Sequence, residues 1–124
     1  MKQKIYFCRH CGNLISMLRD KGGPVYCCSE KMQEIIPGTT EASEEKHVPV
    51  YDVEGNTVHV TVGEVEHPMT EEHYIQWIWL ETEHGIQYAH LDPTDKPKAK
   101  FALCAGDEVR AVYAFCNQHN LWRK

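Results

Sequence analysis

Four of the six cysteines in this 124-residue chain lie within its first 28 residues, and they constrain how that segment can fold. They form a Cys8-x-x-Cys11 pair followed by glycine, and an adjacent pair, Cys27-Cys28. A segment of fewer than about 40 residues buries too little apolar surface to fold alone and commonly needs a metal or a disulfide. We therefore predict that residues 1–37 form a small domain held together by these cysteines.

The spacing of the cysteines indicates a metal site. A Cys-x-x-Cys-Gly sequence forms a knuckle in which two thiolates face one metal and the glycine relieves the tight turn. Neighbouring residues on an extended strand point to opposite faces, so Cys27 and Cys28 reach the same metal only if the chain kinks there. Iron and zinc both accept tetrahedral thiolate, so structural zinc stays an alternative to iron, and a strained vicinal disulfide is a third interpretation.

The rest of the chain, residues 38–124, has the pattern of a β domain. Residues 37–44 combine small, polar and breaker residues without periodicity, which is typical of a linker. Strands are predicted at residues 48–53, 58–62, 74–80, 86–91, 99–104 and 109–115. Strands at this spacing, without helical runs between them, favour an antiparallel sandwich or barrel. Cys104 falls in one of these apolar runs and is expected to be a buried thiol.

Four histidines and one cysteine of the second segment stand in settings that suit convergence on one metal. They are His47 in Glu-Lys-His-Val-Pro, His67 in His-Pro-Met, His73 six residues further on, and Cys116 and His119 three residues apart. Structural zinc usually has four ligands with two to four thiolates, whereas four imidazoles and one thiolate suit iron and leave a sixth position open. An open position on a redox metal implies small-molecule chemistry.

Composition argues against several other classes of function. The formal charge of -5 and the pI near 5.9 give no electrostatic footprint for nucleic acid. No apolar run approaches the roughly 18 residues of a membrane span, and the first residues lack the apolar core of a signal peptide. We expect a cytoplasmic protein with reduced thiols, because cysteine pairs without an export signal indicate metal binding or redox chemistry.

These motifs resemble a known family. The Glu-Lys-His-Val-Pro run, the His-Pro-Met with a second histidine, and the Cys-Asn-x-His-x-x-Trp ending are similar to those of the superoxide reductases. The N-terminal cysteines resemble the desulfoferrodoxin, or two-iron, branch. The resemblance covers nearly the whole chain and implies an all-β protein. A desulforedoxin-like domain with a distorted rubredoxin-like iron centre occupies residues 1–37, and a seven-stranded immunoglobulin-like sandwich, the catalytic domain, occupies residues 38–124.

The resemblance also implies two ligand sets and a reaction. Cys8, Cys11, Cys27 and Cys28 bind the first iron, and the second has His47, His67, His73 and His119 as equatorial ligands and Cys116 as axial thiolate. A thiolate opposite the open position pushes electron density through the iron, as in haem thiolate enzymes. The implied reaction reduces superoxide to hydrogen peroxide and consumes one electron and two protons, without the dismutation half that yields oxygen.

Glu45 and Lys46 immediately precede one of these ligands. Taken alone, such a pair is usually part of a solvated, charged linker. The resemblance implies that Lys46 lies near the open position and that Glu45 occupies this position in the oxidised resting state, with Glu44 as a neighbouring alternative. It further implies a small electron donor such as rubredoxin, and a homodimer.

Two other classes of protein compete with this interpretation. A cupredoxin-like electron carrier also uses cysteine and histidine on a β-sandwich, but its site needs two histidines and an axial methionine, and no methionine follows His119. A zinc-stabilised interaction module would leave the histidines incidental. His10, His59, His84 and His90 match no motif, and we expect none of them to be a ligand.

Overall fold

The computed structural model describes residues 3–124, which form two compact units, one ending at Ile36 and the other extending from Pro37 to Lys124. Nearly all regular structure in both units is antiparallel β. The helices within residues 3–124 amount to a single turn, far short of the apolar length needed to cross a membrane.

The first unit is built from very short strands. They are β1 (Ile5–Phe7), β2 (Leu14–Ile15), β3 (Tyr26–Cys27), β4 (Glu30–Lys31) and β5 (Gln33–Ile35), arranged as a β2-β1-β5 sheet and a β3-β4 hairpin. Among its described residues, the buried hydrophobic ones are Ile5, Cys8 and Met32. Such short ladders and so small a core do not stabilise a domain in water, so this unit depends on its cysteines.

The second unit, all of which is described, contains seven strands. They are β6 (Pro49–Glu54), β7 (Thr57–Val62), β8 (Ile75–Thr82), β9 (Ile86–His90), β10 (Lys98–Ala102), β11 (Val109–Cys116) and β12 (Asn120–Arg123). A single helical turn, α1 (Glu44–His47), comes before β6. One sheet has the order β10-β7-β6 and the other β12-β11-β8-β9. This arrangement agrees with the immunoglobulin-like sandwich that the family resemblance implied.

Residue alternation explains why the two sheets pack face to face. In β7, Val58, Val60 and Val62 are buried, whereas the threonines and the histidine between them are partly exposed. The buried face joins one apolar cluster with residues of the other sheet: Ile75, Ile78, Leu80, Val112, Ala114 and Cys116. Cys116 therefore belongs both to the hydrophobic core and to the predicted metal site.

Two elements of the second unit were not predicted from the sequence. Strand β12 pairs with β11 after a three-residue turn, and Asn120 opens it with a left-handed φ of 62°, which asparagine tolerates better than most residues. The polar residues of that turn conceal the strand in the sequence. Helix α1 forms where the predicted linker ends, and four residues are too few to give a helical period.

The expectation that Cys104 is a buried thiol is wrong. Strand β10 ends at Ala102, and Cys104 is exposed in the turn that follows. The amide of Asp107 donates to the carbonyl of Cys104 at 3.0 Å, and Gly106 adopts a φ of 84°, which a residue with a side chain rarely adopts. This turn ends strand β10 two residues before Cys104, although the apolar run of the sequence continues through it.

The core assignment can be tested with two matched isoleucines of the four-stranded sheet. Ile78 is fully buried, whereas Ile86 is 38% exposed. We expect Ile78→Ala to lower the free energy of unfolding by about 2–5 kcal/mol, and Ile86→Ala to lower it much less. The three tryptophans, Trp77, Trp79 and Trp122, all lie in the second unit. Tryptophan fluorescence during urea denaturation therefore measures the unfolding of that unit. Equal losses would contradict the assignment of Ile78 to the core.

Candidate metal centres

The four N-terminal cysteines converge as their spacing predicts. Their sulfur atoms all lie within 4.8 Å of one another. Cys27 Sγ is 3.6 Å from Cys11 Sγ and 4.0 Å from Cys28 Sγ. Four thiolates bound tetrahedrally at about 2.3 Å place neighbouring sulfurs about 3.8 Å apart. The spacing of the sulfurs therefore fits one tetrahedral metal ion.

The backbone at each cysteine pair explains this convergence. In the first pair, the amide of Gly12 donates to the carbonyl of Cys8 at 2.8 Å, and Gly12 has a φ of 82°. In the second pair, Cys28 and Ser29 both have positive φ, 53° and 62°, in the two-residue turn between β3 and β4. The chain therefore kinks at Cys27-Cys28, as binding one metal requires.

The four thiols cannot all ionise without a cation among them. A hydrogen bond from the backbone amide of Cys11 lowers the pKa of Cys8 to about 6, whereas sulfur neighbours, Cys11 first, raise the pKa of Cys28 to about 12. Metal binding deprotonates coordinating thiols outright. The site thus has the donor chemistry of a metal centre rather than that of four free thiols.

His10 is not a fifth ligand of this group. Its Nε2 contacts Glu30 Oε2, and Arg9 binds the same carboxylate with Nε at 2.9 Å and Nη2 at 2.8 Å. These contacts join the first cysteine pair to strand β4. Among the described histidines, His59, His84 and His90 also lie outside both groups of metal-binding side chains.

The second group contains the predicted histidines and Cys116. The ligand atoms of His47, His67, His73 and Cys116 lie within 4.8 Å of one another. His119 joins them through Nδ1, which is 3.1 Å from His47 Nε2 and 3.8 Å from Cys116 Sγ. We call these five residues the nitrogen-rich site.

The four imidazoles form a ring. Centroid distances between successive members, in the order His47, His67, His73, His119 and back to His47, are 4.6, 4.7, 5.1 and 4.8 Å. The diagonal from His47 to His73 is longer, 6.3 Å. Nitrogens bound at about 2.1 Å and at right angles lie about 3.0 Å apart, close to the 3.1 and 3.2 Å found here. The spacing of the imidazoles therefore fits four nitrogen ligands around one ion.

The tautomers of two histidines show where their lone pairs point. His47 Nδ1 donates to the carbonyl of Ser43, and His67 Nδ1 donates to that of Pro68, both at 2.7 Å. A neutral imidazole has one N–H, so both Nε2 atoms are bare. They face each other at 3.2 Å without a proton between them. Two opposed lone pairs at this distance need a cation.

A third histidine leads to the same conclusion. Nε2 of His73 is buried and has no hydrogen-bond partner. A buried polar atom without a partner costs free energy unless something binds it. Its position in the ring of imidazoles makes a metal the partner that the site lacks, and the donor set suits a redox metal such as iron better than structural zinc.

Burial keeps three of the histidines in the form that binds metal. It lowers the pKa of His67 to about 4 and also lowers the pKa of His47 and His73. These three imidazoles are therefore neutral near pH 7. Burial raises the pKa of the Cys116 thiol, while the backbone amides of Gln118 and His119 act in the opposite direction. A bound cation completes the ionisation of this thiol.

Neighbouring residues fix the ligands in place. Trp122 packs on the ring of His47 at 5.0 Å and donates Nε1–H to the carbonyl of His119 at 2.9 Å. The Asn117 side chain accepts from the amide of Tyr74 and donates to the carbonyl of Glu72, both at 3.0 Å. The turn with Cys116 and His119 is thereby joined to the segment that carries His73.

Glu45 and Lys46 lie on the exposed side of α1, directly before His47. Besides burial, which is the main cause, the positive charge of Lys46 contributes to the lowered pKa of His47 and His73. Glu44 and Glu45 line a surface cavity of about 480 Å³ with Glu64 and Lys124. Lys46 is thus a cation close enough to act on the nitrogen-rich site.

Comparison with known proteins agrees with this geometry. A family model described as desulfoferrodoxin matches residues 39–124. The chain is 43% identical over 121 residues to the desulfoferrodoxin of Nitratidesulfovibrio vulgaris, which covers 97% of this chain and 94% of that protein. Similarity to a relative of this name therefore extends over both metal centres.

Solved structures give the same result. The superoxide reductase of Treponema pallidum superposes with a TM-score of 0.84 at 40% identity, covering 100% of this chain and 99% of that one. The one-iron superoxide reductase of Giardia intestinalis superposes with a TM-score of 0.53 at 34% identity, covering 64% of this chain and 95% of that one.

The thiolate of the nitrogen-rich site can be tested by substitution. Cys116→Ser should keep most of the fold but lose the sulfur-to-metal absorption of this site, because the hydroxyl is a poor substitute for a thiolate. Cys104→Ser is the matched control, since Cys104 is exposed and lies outside both groups. The absorption spectrum and the metal content are compared between the wild type, Cys116→Ser and Cys104→Ser. An unchanged absorption band in Cys116→Ser would rule out this thiolate as a ligand.

Proposed function

This chain belongs to the desulfoferrodoxin family, and we propose that it reduces superoxide to hydrogen peroxide at the nitrogen-rich site. The observation that carries this proposal is the ring of four imidazoles with a buried cysteine beside it. These five donors suit iron and leave a sixth position for a small ligand. The similarity to a superoxide reductase along the whole chain supports the same activity.

The two groups of ligands account for two iron centres. Cys8, Cys11, Cys27 and Cys28 hold one iron, and His47, His67, His73, His119 and Cys116 hold the other. Bound by the second group, ferrous iron would supply the electron that superoxide takes up. The product, hydrogen peroxide, requires two protons in addition to that electron.

The residues of the nitrogen-rich site set the conditions for this step. The carbonyls of Ser43 and Pro68 orient His47 and His67, which fixes the direction of their metal-binding lone pairs. The Cys116 thiolate would donate charge to a bound metal, which would favour electron transfer to the small molecule. Because His47, His67 and Cys116 are buried, water is excluded from this side of the site.

Lys46 attracts the anionic substrate. The chain carries a formal charge of -5, so its overall field repels superoxide, and rapid capture needs a local positive potential. Lys46 lies next to a ligand and acts electrostatically on two of them. Glu45, which also precedes His47, would be the ligand of the sixth position in the oxidised protein.

The two domains divide the work. Residues 38–124 form the superoxide reductase domain, and residues 1–37 form the desulforedoxin-like domain, which contributes no ligand to the second iron. The protein acts as a cytoplasmic homodimer that receives electrons from a small donor such as rubredoxin.

The structure gives no support to a cupredoxin-like site. Such a site uses two histidines and a weak axial methionine. Here four histidines converge, and Met69, the nearest methionine in sequence to His67, accepts a hydrogen bond from the amide of Ile75 through Sδ at 3.4 Å. Met69 also packs against the hydrophobic core.

The role of Lys46 predicts a specific dependence on salt. Lys46→Ala should slow the second-order reaction of the ferrous site with superoxide by a factor of roughly 3 to 10, as the loss of one nearby charge does. It should also flatten or reverse the dependence on ionic strength, because salt screens attraction beyond about 8–10 Å. Pulse-generated superoxide across a salt series measures both effects.

Two further variants control this measurement. Lys100→Ala removes the same charge from an exposed position on β10, so it should leave the rate and its salt dependence nearly unchanged. Glu45→Ala should preserve the rate of capture and alter the absorption spectrum of the oxidised protein. If Lys46→Ala behaved like Lys100→Ala, Lys46 would be an ordinary solvated charge.

The division between the domains predicts that the first iron is dispensable for the reaction itself. Cys11→Ser should lose the tetrathiolate iron, yet its ferrous second site should still react with superoxide once a chemical reductant has loaded it with an electron. Cys116→Ser should keep the tetrathiolate iron and lose the reaction of the second site with superoxide. A Cys11→Ser protein with an occupied ferrous second site and no reaction would show that the small domain takes part in the chemistry.

A further inference from the structure

Gly63 directly follows strand β7 and lies against the backbone of α1. A Cβ atom placed on Gly63 would be 2.6 Å from the carbonyl oxygen of Glu45, 2.8 Å from the carbonyl carbon of Lys46 and 3.0 Å from the carbonyl oxygen of Val48. All three are backbone atoms, which cannot swing aside as the end of a side chain can. Only glycine allows the two segments to approach this closely.

The other glycines of the chain do not make such an approach. A Cβ atom on any of the other seven would meet nothing within 4 Å. Gly63 is therefore required for its lack of a side chain, at the point where the backbone after β7 meets the segment with Glu45, Lys46 and His47. Gly63 lies outside all the sequence motifs that resemble the family.

Hydrogen bonds on both sides of Gly63 secure the contact. The amide of Val65 donates to the carbonyl of Glu45 at 3.1 Å, and the amide of His67 donates to that of Val62 at 2.8 Å. A four-residue helix such as α1 is not stable on its own. Its position is therefore set by the surfaces that it contacts, and residues 63–65 provide one of them.

The same loop connects two metal ligands that are distant in sequence. It holds the backbone just before His47, and it leads directly into His67, whose Nε2 lies 3.2 Å from His47 Nε2. A displacement of α1 from Gly63 changes this distance and moves Lys46 with it. The packing at Gly63 thus controls the geometry of the ring of imidazoles.

We propose that Gly63 is a positioning residue of the nitrogen-rich site. By lacking a side chain, it lets residues 63–65 clamp the backbone at Glu45 and Lys46, which places His47 in the ring and Lys46 beside it. The effect of Gly63 on metal binding, through His47, does not depend on which molecule the site reduces. The effect of Gly63 on the capture of superoxide, through Lys46, rests on the proposed function.

The test compares Gly63→Ala with Gly85→Ala in the full-length protein. Gly85 lies in the turn between β8 and β9 with nothing within 4 Å, so alanine fits there. Gly63→Ala should weaken the binding of ferrous iron to the nitrogen-rich site by roughly 10- to 100-fold, the range seen when residues that orient ligands are changed. The tetrathiolate iron should be retained, and Gly85→Ala should match the wild type at both sites.

Hydrogen exchange supplies a readout that needs no superoxide. The amide of Val48, which donates to the carbonyl of Glu44 at 2.9 Å, should exchange faster in Gly63→Ala, whereas amides in the middle of β8 and β11 should not. A purely structural role would destabilise the whole sandwich and speed exchange in β8 and β11 as well. Wild-type iron affinity together with unchanged exchange at Val48 would overturn the proposal.

A second pair of variants covers the case in which Gly63→Ala does not fold. Val65→Pro removes the N–H that bonds to Glu45, and Val65→Ala keeps it. Iron affinity should fall in the proline variant alone, and equal affinities in the two would overturn the proposal. If the wild type failed to reduce superoxide while these affinities fell as expected, the proposed activity would be wrong and the positioning role of Gly63 would stand.

Discussion

The convergence of metal-binding side chains on two small volumes is the constraint on which both halves of this protein depend. Two bare imidazole nitrogens face each other at 3.2 Å, a third is buried without a partner, and four thiols crowd within 4.8 Å. In each case a metal ion turns repulsion or lost hydrogen bonding into attraction. The first unit uses this attraction to fold, whereas the second, which has a hydrophobic core, uses it for chemistry.

Residue types and spacing predicted most of the two sites. The knuckle at Cys8 and Cys11 and the pair at Cys116 and His119 are local, so their geometry follows from a few bonds. The assignment of His47, His67 and His73 to the same site as Cys116 and His119 rested on the resemblance to a family. The sequence around a single histidine does not indicate which distant residues it will meet in the fold. The structure supplied the ring that relates them.

What the sequence could not predict depends on tertiary contacts. Helix α1 is too short to have a period, β12 is concealed by a polar turn, and the requirement for glycine at position 63 appears only when Glu45 and Lys46 lie against it. Cys104 was misassigned because an apolar run extended past the turn that ends β10. In each case the deciding partner is distant in sequence or is a turn residue with unusual backbone angles.

The distances in sequence between ligands imply an order of metal incorporation. The tetrathiolate ligands span only residues 8–28, so an ion can gather them as soon as that segment leaves the ribosome. His47 and His119 are 72 residues apart, and Cys116 terminates a strand in the middle of a sheet. Closing so long a loop costs only slightly more entropy than closing the short cysteine loop, but the ligands lie on or near different strands, which the pairing of the sheet brings together. We therefore expect iron to enter the nitrogen-rich site after the sandwich has assembled, so that iron supply would limit maturation of the site and not folding of the chain.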